Sequence, residues 1–128
     1  MKVVIAGAGA VGASIARELE RHGHEVAVVE VRPDAAAKTD VGGAAMVLGD
    51  ACDLGVLREA GTLCADVLVA ATGDDRANLV VSLLARSEFG VRRTVARVNN
   101  PRNDWLFDES WGVDVAVSTP RIMTALVE

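Results

Sequence analysis

Residues 3–12, VVIAGAGAVG, constrain this chain more than any other stretch. A β-branched run that suits a buried strand breaks into glycines, and helical spacing begins directly after them. Gly7, Gly9 and Gly12 form a G-x-G-x-x-G pattern. In that pattern the first glycine makes a tight turn, the second lets the backbone approach a pyrophosphate, and the third lets the helix lie close to the strand. Strand, glycine turn and helix open a βαβ unit, so the rest of the chain must be compatible with a parallel sheet.

The rest is compatible. After the first strand (residues 2–6), apolar runs recur at residues 25–30, 44–48, 66–72, 93–98 and 113–118. Helical spacing separates them: residues 10–22 through Val11, Ile15 and Leu19, a short segment from Pro33, residues 53–60, residues 78–89 and residues 102–108 after Pro101. A last helix is expected from Pro120 to Glu128. Gly23 and Gly61 are helix stops, and Gly42–Gly43 and the Gly55/Gly61 region read as turns. Short buried strands alternating with helices predict an α/β fold, a Rossmann-like doubly wound sheet of six parallel strands in the order 3-2-1-4-5-6.

The composition narrows the function. The chain's 128 residues fit one domain, and half of them are hydrophobic, mostly small or branched. A net charge of −5 argues against nucleic acid as a partner, and Arg92, Arg93 and Arg97 around one strand read as a solvated edge. Cys52 and Cys64 lack zinc spacing and read as free thiols. Lys2 leads straight into strand residues without a leader pattern, and no apolar stretch is long enough to span a bilayer. A cytoplasmic location is expected.

Glu30 ends the second strand eighteen residues after Gly12. A carboxylate there accepts hydrogen bonds from ribose hydroxyls and repels a 2′-phosphate, which favours NAD(H) or an adenine nucleotide over NADP. Arg32 is expected to pack on adenine or face solvent. Gly49-Asp50-Ala51 and Thr72-Gly73-Asp74-Asp75 follow the third and fourth strands, where ligands collect in open α/β sheets, although Thr72 and Asp74 also suit helix capping. Acid–base chemistry has few candidates: there is no tyrosine, the lysines are Lys2 and Lys38, and His22 and His24 lie at the amino end of the second strand. No enzyme activity is expected. The alternatives are the cofactor domain of a truncated NAD-dependent oxidoreductase, or a redox-sensing module on another effector. The aromatic segment Trp105-Leu106-Phe107 with Trp111 reads as a helix on the sheet edge, or else as a subunit contact.

GAGAVG, Glu30, LGDACD (48–53), REAG (58–61), VAATGDDRAN (69–78), ARVNNP (96–101) and GVDVAVS (112–118) together resemble one family over essentially the whole chain. It is the N-terminal nucleotide-binding domain of potassium-transport regulators, the TrkA/RCK or KTN type. The resemblance implies a cytoplasmic regulatory subunit that binds NAD or NADH, with ATP, ADP or AMP as alternatives. It also implies a homo-oligomer, a dimer or ring of dimers, that gates a membrane-embedded potassium channel or transporter. Carried onto this chain, Gly7, Gly9, Ala10, Val11 and Gly12 would surround the phosphates. Glu30 would hold the ribose, Asp50 and Ala51 would lie at the adenine, and Thr72, Gly73 and Asp74 would line the mouth. Arg97 would reach phosphate or a neighbouring subunit. Some ATP-selective members carry an arginine at the position of Ala10, so alanine here tilts the choice towards NAD(H). The family pattern makes residues 1–118 the nucleotide-binding domain and residues 119–128 the start of a crossover helix, with a C-terminal domain beyond it.

Overall fold

A computed structural model describes residues 1–127, leaving aside the side chain of Arg121. The strands are β1 (Lys2–Ala6), β2 (Glu25–Glu30), β3 (Ala45–Leu48), β4 (Val67–Ala70), β5 (Arg93–Arg97) and β6 (Val115–Val117). The helices are α1 (Ala10–Arg21), α2 (Pro33–Lys38), α3 (Leu54–Glu59), α4 (Asp75–Phe89) and α5 (Thr119–Val127). The strands form one parallel sheet in the order β3-β2-β1-β4-β5-β6, as the strand pattern predicts. Among the described residues no helix is long and apolar enough to cross a membrane. The end of the last predicted helix, Glu128, lies outside the described residues.

Alternation along each strand divides the core between the two faces of the sheet. Val3, Ile5, Val26 and Val28 pack with Ala13 and Ala16 of α1. Val4, Ala6, Ala27, Val29, Leu68 and Ala70 pack with Leu57 of α3 and with Leu79, Val81 and Phe89 of α4. Both faces are therefore dry, which is why β1 and β2 read as unbroken apolar runs.

The glycine motif is a packing device as well as a turn. Gly7 has φ of 106°, in the left-handed region, and a Cβ there would also meet Ala71 O at 2.9 Å. A Cβ on Gly12 would lie 1.9 Å from Gly7 O. Only glycine at position 12 lets α1 start directly over the turn.

At the other half of the sheet, side chains replace the ladder where strands end. Asn78 of α4 is fully buried. Its Oδ1 accepts from Thr72 N (3.0 Å) and Thr72 Oγ1 (2.7 Å), and its Nδ2 donates to Thr72 O (3.0 Å) and Arg97 O (2.9 Å). The amide thus mimics a strand neighbour for the chain leaving β4 and β5. Asp75 extends the link. It accepts from Asn99 N (2.7 Å), Asn99 Nδ2 (3.1 Å), Asn100 N (2.9 Å) and Asn103 Nδ2 (2.9 Å). Burial pushes the Asp75 carboxyl up, but the hydrogen bonds from Asn99, Asn103 and Asn100 outweigh it and hold it below the usual aspartate value.

Several boundaries differ from the sequence reading. Gly55 lies in the first turn of α3, where its N–H donates to the capping Asp53 Oδ1 at 2.7 Å, and is not a loop turn. The helix expected from residue 78 begins at Asp75, because Asp74 caps it through the N–H of Arg76 at 2.9 Å. The fourth strand stops at Ala70, since Thr72 bonds to Asn78. The aromatic segment is not one helix but two 3-10 turns, Pro101–Leu106 and Glu109–Trp111. Phe107 is buried and Trp111 packs against the core, whereas Trp105 is 75% exposed.

Two predictions follow from these contacts. Gly12→Ala is expected to destabilise the chain by about 2 kcal/mol or more through overpacking, read as a lower denaturant midpoint at unchanged slope. For Asp75 the folded pKa is depressed, so its contribution is complete above the ordinary value of 3.8 and fades as pH falls below it through the folded pKa. Asp75→Ala is therefore expected to lower stability at neutral pH by about 1–3 kcal/mol. The loss relative to the parent chain should shrink in acid, and a pH-independent difference would count against the clamp.

Candidate functional site

The sheet order reverses between β1 and β4, which leaves a crevice at the carboxyl ends of these strands. A cleft of about 720 Å³ occupies it. Gly7 and Gly9 after β1, Glu30 and Arg32 around the end of β2, Gly49 to Cys52 after β3, and Ala71 to Asp74 after β4 all line it. Arg97 from β5 and Arg76, Ala77 and Val80 from α4 complete the wall.

The floor is the glycine loop. Gly7 N–H donates to Val29 O at 2.8 Å and Ala8 N–H donates to Glu30 Oε1 at 2.9 Å. The first bond inside α1 runs from Ala13 N–H to Gly9 O at 2.9 Å. The N–H groups of Ala10, Val11 and Gly12 therefore have no helical acceptor and carry the positive end of the helix dipole. Nothing stands within 4 Å of the place a Gly9 Cβ would occupy, so the loop is open to close approach. Such an end binds phosphate without further help.

Glu30 is 5% exposed and serves two roles. Its Oε1 ties down the glycine loop, while Oε2 accepts from Arg32 N at 2.9 Å and Arg32 Nε at 3.3 Å. Burial raises its pKa, but the N–H donors of Arg32 and Ala8 and the Arg32 guanidinium outweigh it, so the carboxyl is held below its usual value. It is an anion that accepts hydrogen bonds. Arg32, expected against adenine or in solvent, pairs with this carboxylate while its side chain stays 64% exposed.

The sequence-predicted residues fall into two groups. Gly7, Gly9, Glu30, Arg32, Asp50, Ala51, Thr72, Gly73, Asp74 and Arg97 line the cleft. Ala10, Val11 and Gly12 are not among the lining residues: the first two are exposed at the start of α1, and Gly12 is buried. Thr72 and Asp74 combine mouth and capping: Thr72 Oγ1 donates to Asp74 O at 3.0 Å, and Asp74 caps α4. Sequence reasoning missed Cys52, Arg76, Ala77 and Val80. The cue for the last three was the helical spacing from Asp74, which turns residues 76, 77 and 80 to one side. Cys52 is half-buried; burial and the Asp50 and Asp74 carboxylates push its thiol up to about 11. It is a neutral wall residue at neutral pH.

Chemically, the cleft offers open N–H groups, the buried Glu30 carboxylate, the Asp50 and Asp74 carboxylates and cations. Among the described residues, its lining holds no histidine, lysine or tyrosine. His24 lies at the opposite edge of the sheet, with Nδ1 3.1 Å from the terminal amine.

Residues 3–119 match the model of the TrkA-N domain. The chain is 55% identical over 128 residues to the Trk system potassium uptake protein TrkA of Mycobacterium tuberculosis (strain H37Rv), covering 100% of this chain and 58% of that protein. It is 38% identical over 129 residues to a Trk system potassium uptake protein TrkA homolog of Methanothermobacter thermautotrophicus, covering 100% of this chain and 59% of the homolog. The chain thus spans a little under three-fifths of the length of these relatives. Among solved structures, that of GsuK bound to ADP superposes with a TM-score of 0.82 at 26% identity, covering 98% of this chain and 32% of GsuK. With the TrkA-N model matched over residues 3–119 of its 128, the chain belongs to the TrkA-N domain family.

Proposed function

We propose that the chain is the nucleotide-sensing part of a potassium uptake system, a regulatory module and not an enzyme. One observation carries the reading: the open N–H groups of the α1 start and the buried Glu30 anion meet at one cleft, whose described lining holds no histidine, lysine or tyrosine. That arrangement recognises a nucleotide and leaves it unchanged. The relatives named as potassium uptake proteins supply the biological setting, and the ADP-bound GsuK structure supports an adenine nucleotide as ligand.

In this reading the phosphates rest on the N–H groups of Gly9, Ala10, Val11 and Gly12, with Gly7 and Gly12 shaping the loop. Glu30 accepts from the ribose, Arg32 and Asp50-Ala51 flank the adenine, and Thr72, Gly73, Asp74 and Arg97 border the far half. NAD(H) is the preferred ligand, with ATP, ADP and AMP as competitors. Glu30 disfavours a 2′-phosphate. Residues 1–118 form the sensor, and α5 leads on towards a further domain. The working form is a homo-oligomer at the inner face of the membrane, bound to a potassium channel or transporter subunit. Each nucleotide shifts the assembly only as far as it binds one arrangement better than another.

Two measurements test this. Titration with NAD⁺, NADH, ATP, ADP and AMP, with NADP⁺ as control, is expected to show competition at one site and no turnover. Binding of NADP⁺ alone, or steady NADH oxidation with a small carbonyl compound, would overturn the reading in favour of an oxidoreductase. Gly9→Ala is expected to keep the melting temperature, because its Cβ meets open space. The same Cβ blocks the close approach of phosphate, so nucleotide affinity should fall by about tenfold or more.

A further inference from the structure

Thr72 lines the cleft, and its backbone is held from behind by two amides. Thr72 N–H donates to Asn78 Oδ1, and Thr72 O accepts from Asn78 Nδ2 and from Asn99 Nδ2, each bond 3.0 Å long. Asn99 belongs in turn to Asp75. The Asp75 Oδ1 accepts from Asn99 N and Nδ2, and its Oδ2 accepts from Asn100 N and Asn103 Nδ2. Asp75, Asn78, Asn99, Asn100 and Asn103 are all absent from the described lining of the cleft. They touch its wall and not its contents.

This cluster does more than cap a helix. Asp74 already caps α4 through the N–H of Arg76, so both Asp75 oxygens serve a different segment. That segment is the turn Pro101–Leu106, which is stiff at each end. Pro101 fixes its first φ, Asn100 Oδ1 accepts from Arg102 N–H at 3.1 Å, and Phe107 just beyond it is buried in the core. Asn103 and the exposed Trp105 lie between these anchors. A ligand that shifts Thr72 has two ways to be accommodated. Either the Thr72 backbone gives up its amide partners, which is costly beside the buried Asn78, or Asn78 and Asn99 follow it and Asp75 carries the shift to Asn103.

We propose that Asp75, with Asn99 and Asn103, couples occupancy of the cleft to the turn that carries Trp105. The three are positioning residues, and the turn is the surface on which the bound state is displayed. The inference rests on the nucleotide reading above and goes beyond it, since the turn lies outside the cleft lining. Coupling of this kind is reciprocal: whatever holds the turn in one arrangement changes ligand affinity by the same free energy.

Fluorine NMR of the chain labelled with fluorotryptophan tests it, with Trp105→Phe assigning the resonances of Trp105 and Trp111 and calorimetry giving affinities for ADP and NAD⁺. Saturation of the parent chain with either nucleotide is expected to shift the Trp105 resonance. In Asn103→Asp, whose carboxylate Asp75 repels, that shift should fall by about half or more, and Asn103→Ala should act in the same direction without added charge. Both variants should still bind within about threefold of the parent chain. Arg102→Ala, on the same turn but with its side chain off the Asp75 cluster, should keep the full shift. A Trp105 resonance that stays fixed when nucleotide is bound, or that moves equally in the parent chain and both Asn103 variants, overturns the coupling and leaves the nucleotide reading standing. A parent chain that binds neither nucleotide overturns the nucleotide reading, and this inference with it.

Discussion

The approach of α1 to the turn after β1 sets the geometry on which the site depends. Gly12 has no side chain, so the helix starts against Gly7 O and aims its unsatisfied N–H groups into the crevice. A methyl group at this point would lift the helix off the sheet. The floor of the cleft would then retreat from Glu30, which bonds the intervening Ala8 N–H at 2.9 Å. Packing and recognition are one constraint here: the contact that closes the core under Ile5, Ala13 and Ala16 also points the dipole at the ligand position.

The two walls of the cleft are held by different means. On the β2 side a charge does the work, since Glu30 gathers the loop amide and Arg32 at a buried carboxylate. On the β4 side an uncharged amide does it, with Asn78 supplying donors and acceptors to the chain as it leaves the sheet. Removing either partner would strand buried polar groups, which costs more than a surface hydrogen bond gains.

Legibility in the sequence followed burial. β1 and β2 begin and end where the apolar runs begin and end, because both faces of these strands are covered. β4 was read two residues too long at its carboxyl end, since Ala71 and Thr72 are as apolar or β-branched as a strand; Ala71 N–H still donates to Ala6 O of β1, but Thr72 finds its partner in Asn78 of α4. The start of α4 was read late because Asp74 and Asp75 resemble loop residues until the cap is seen. The glycine motif and Glu30 announced their side of the site by spacing alone. Arg76, Ala77 and Val80 did not, because their place in the wall depends on where α4 begins. Trp105 and Phe107 lie two positions apart, one exposed within the 3-10 turn and the other buried just after it, so the aromatic run does not form one apolar face.

The Asp75 clamp has a mechanical consequence. One carboxylate gathers Asn99, Asn100 and Asn103, and Asn99 reaches back to Thr72 O at 3.0 Å. The mouth after β4, the head of α4 and the turn that carries Trp105 are thereby riveted into a single plate. Strain at the mouth therefore has a hydrogen-bonded route to the turn that carries the exposed Trp105 indole.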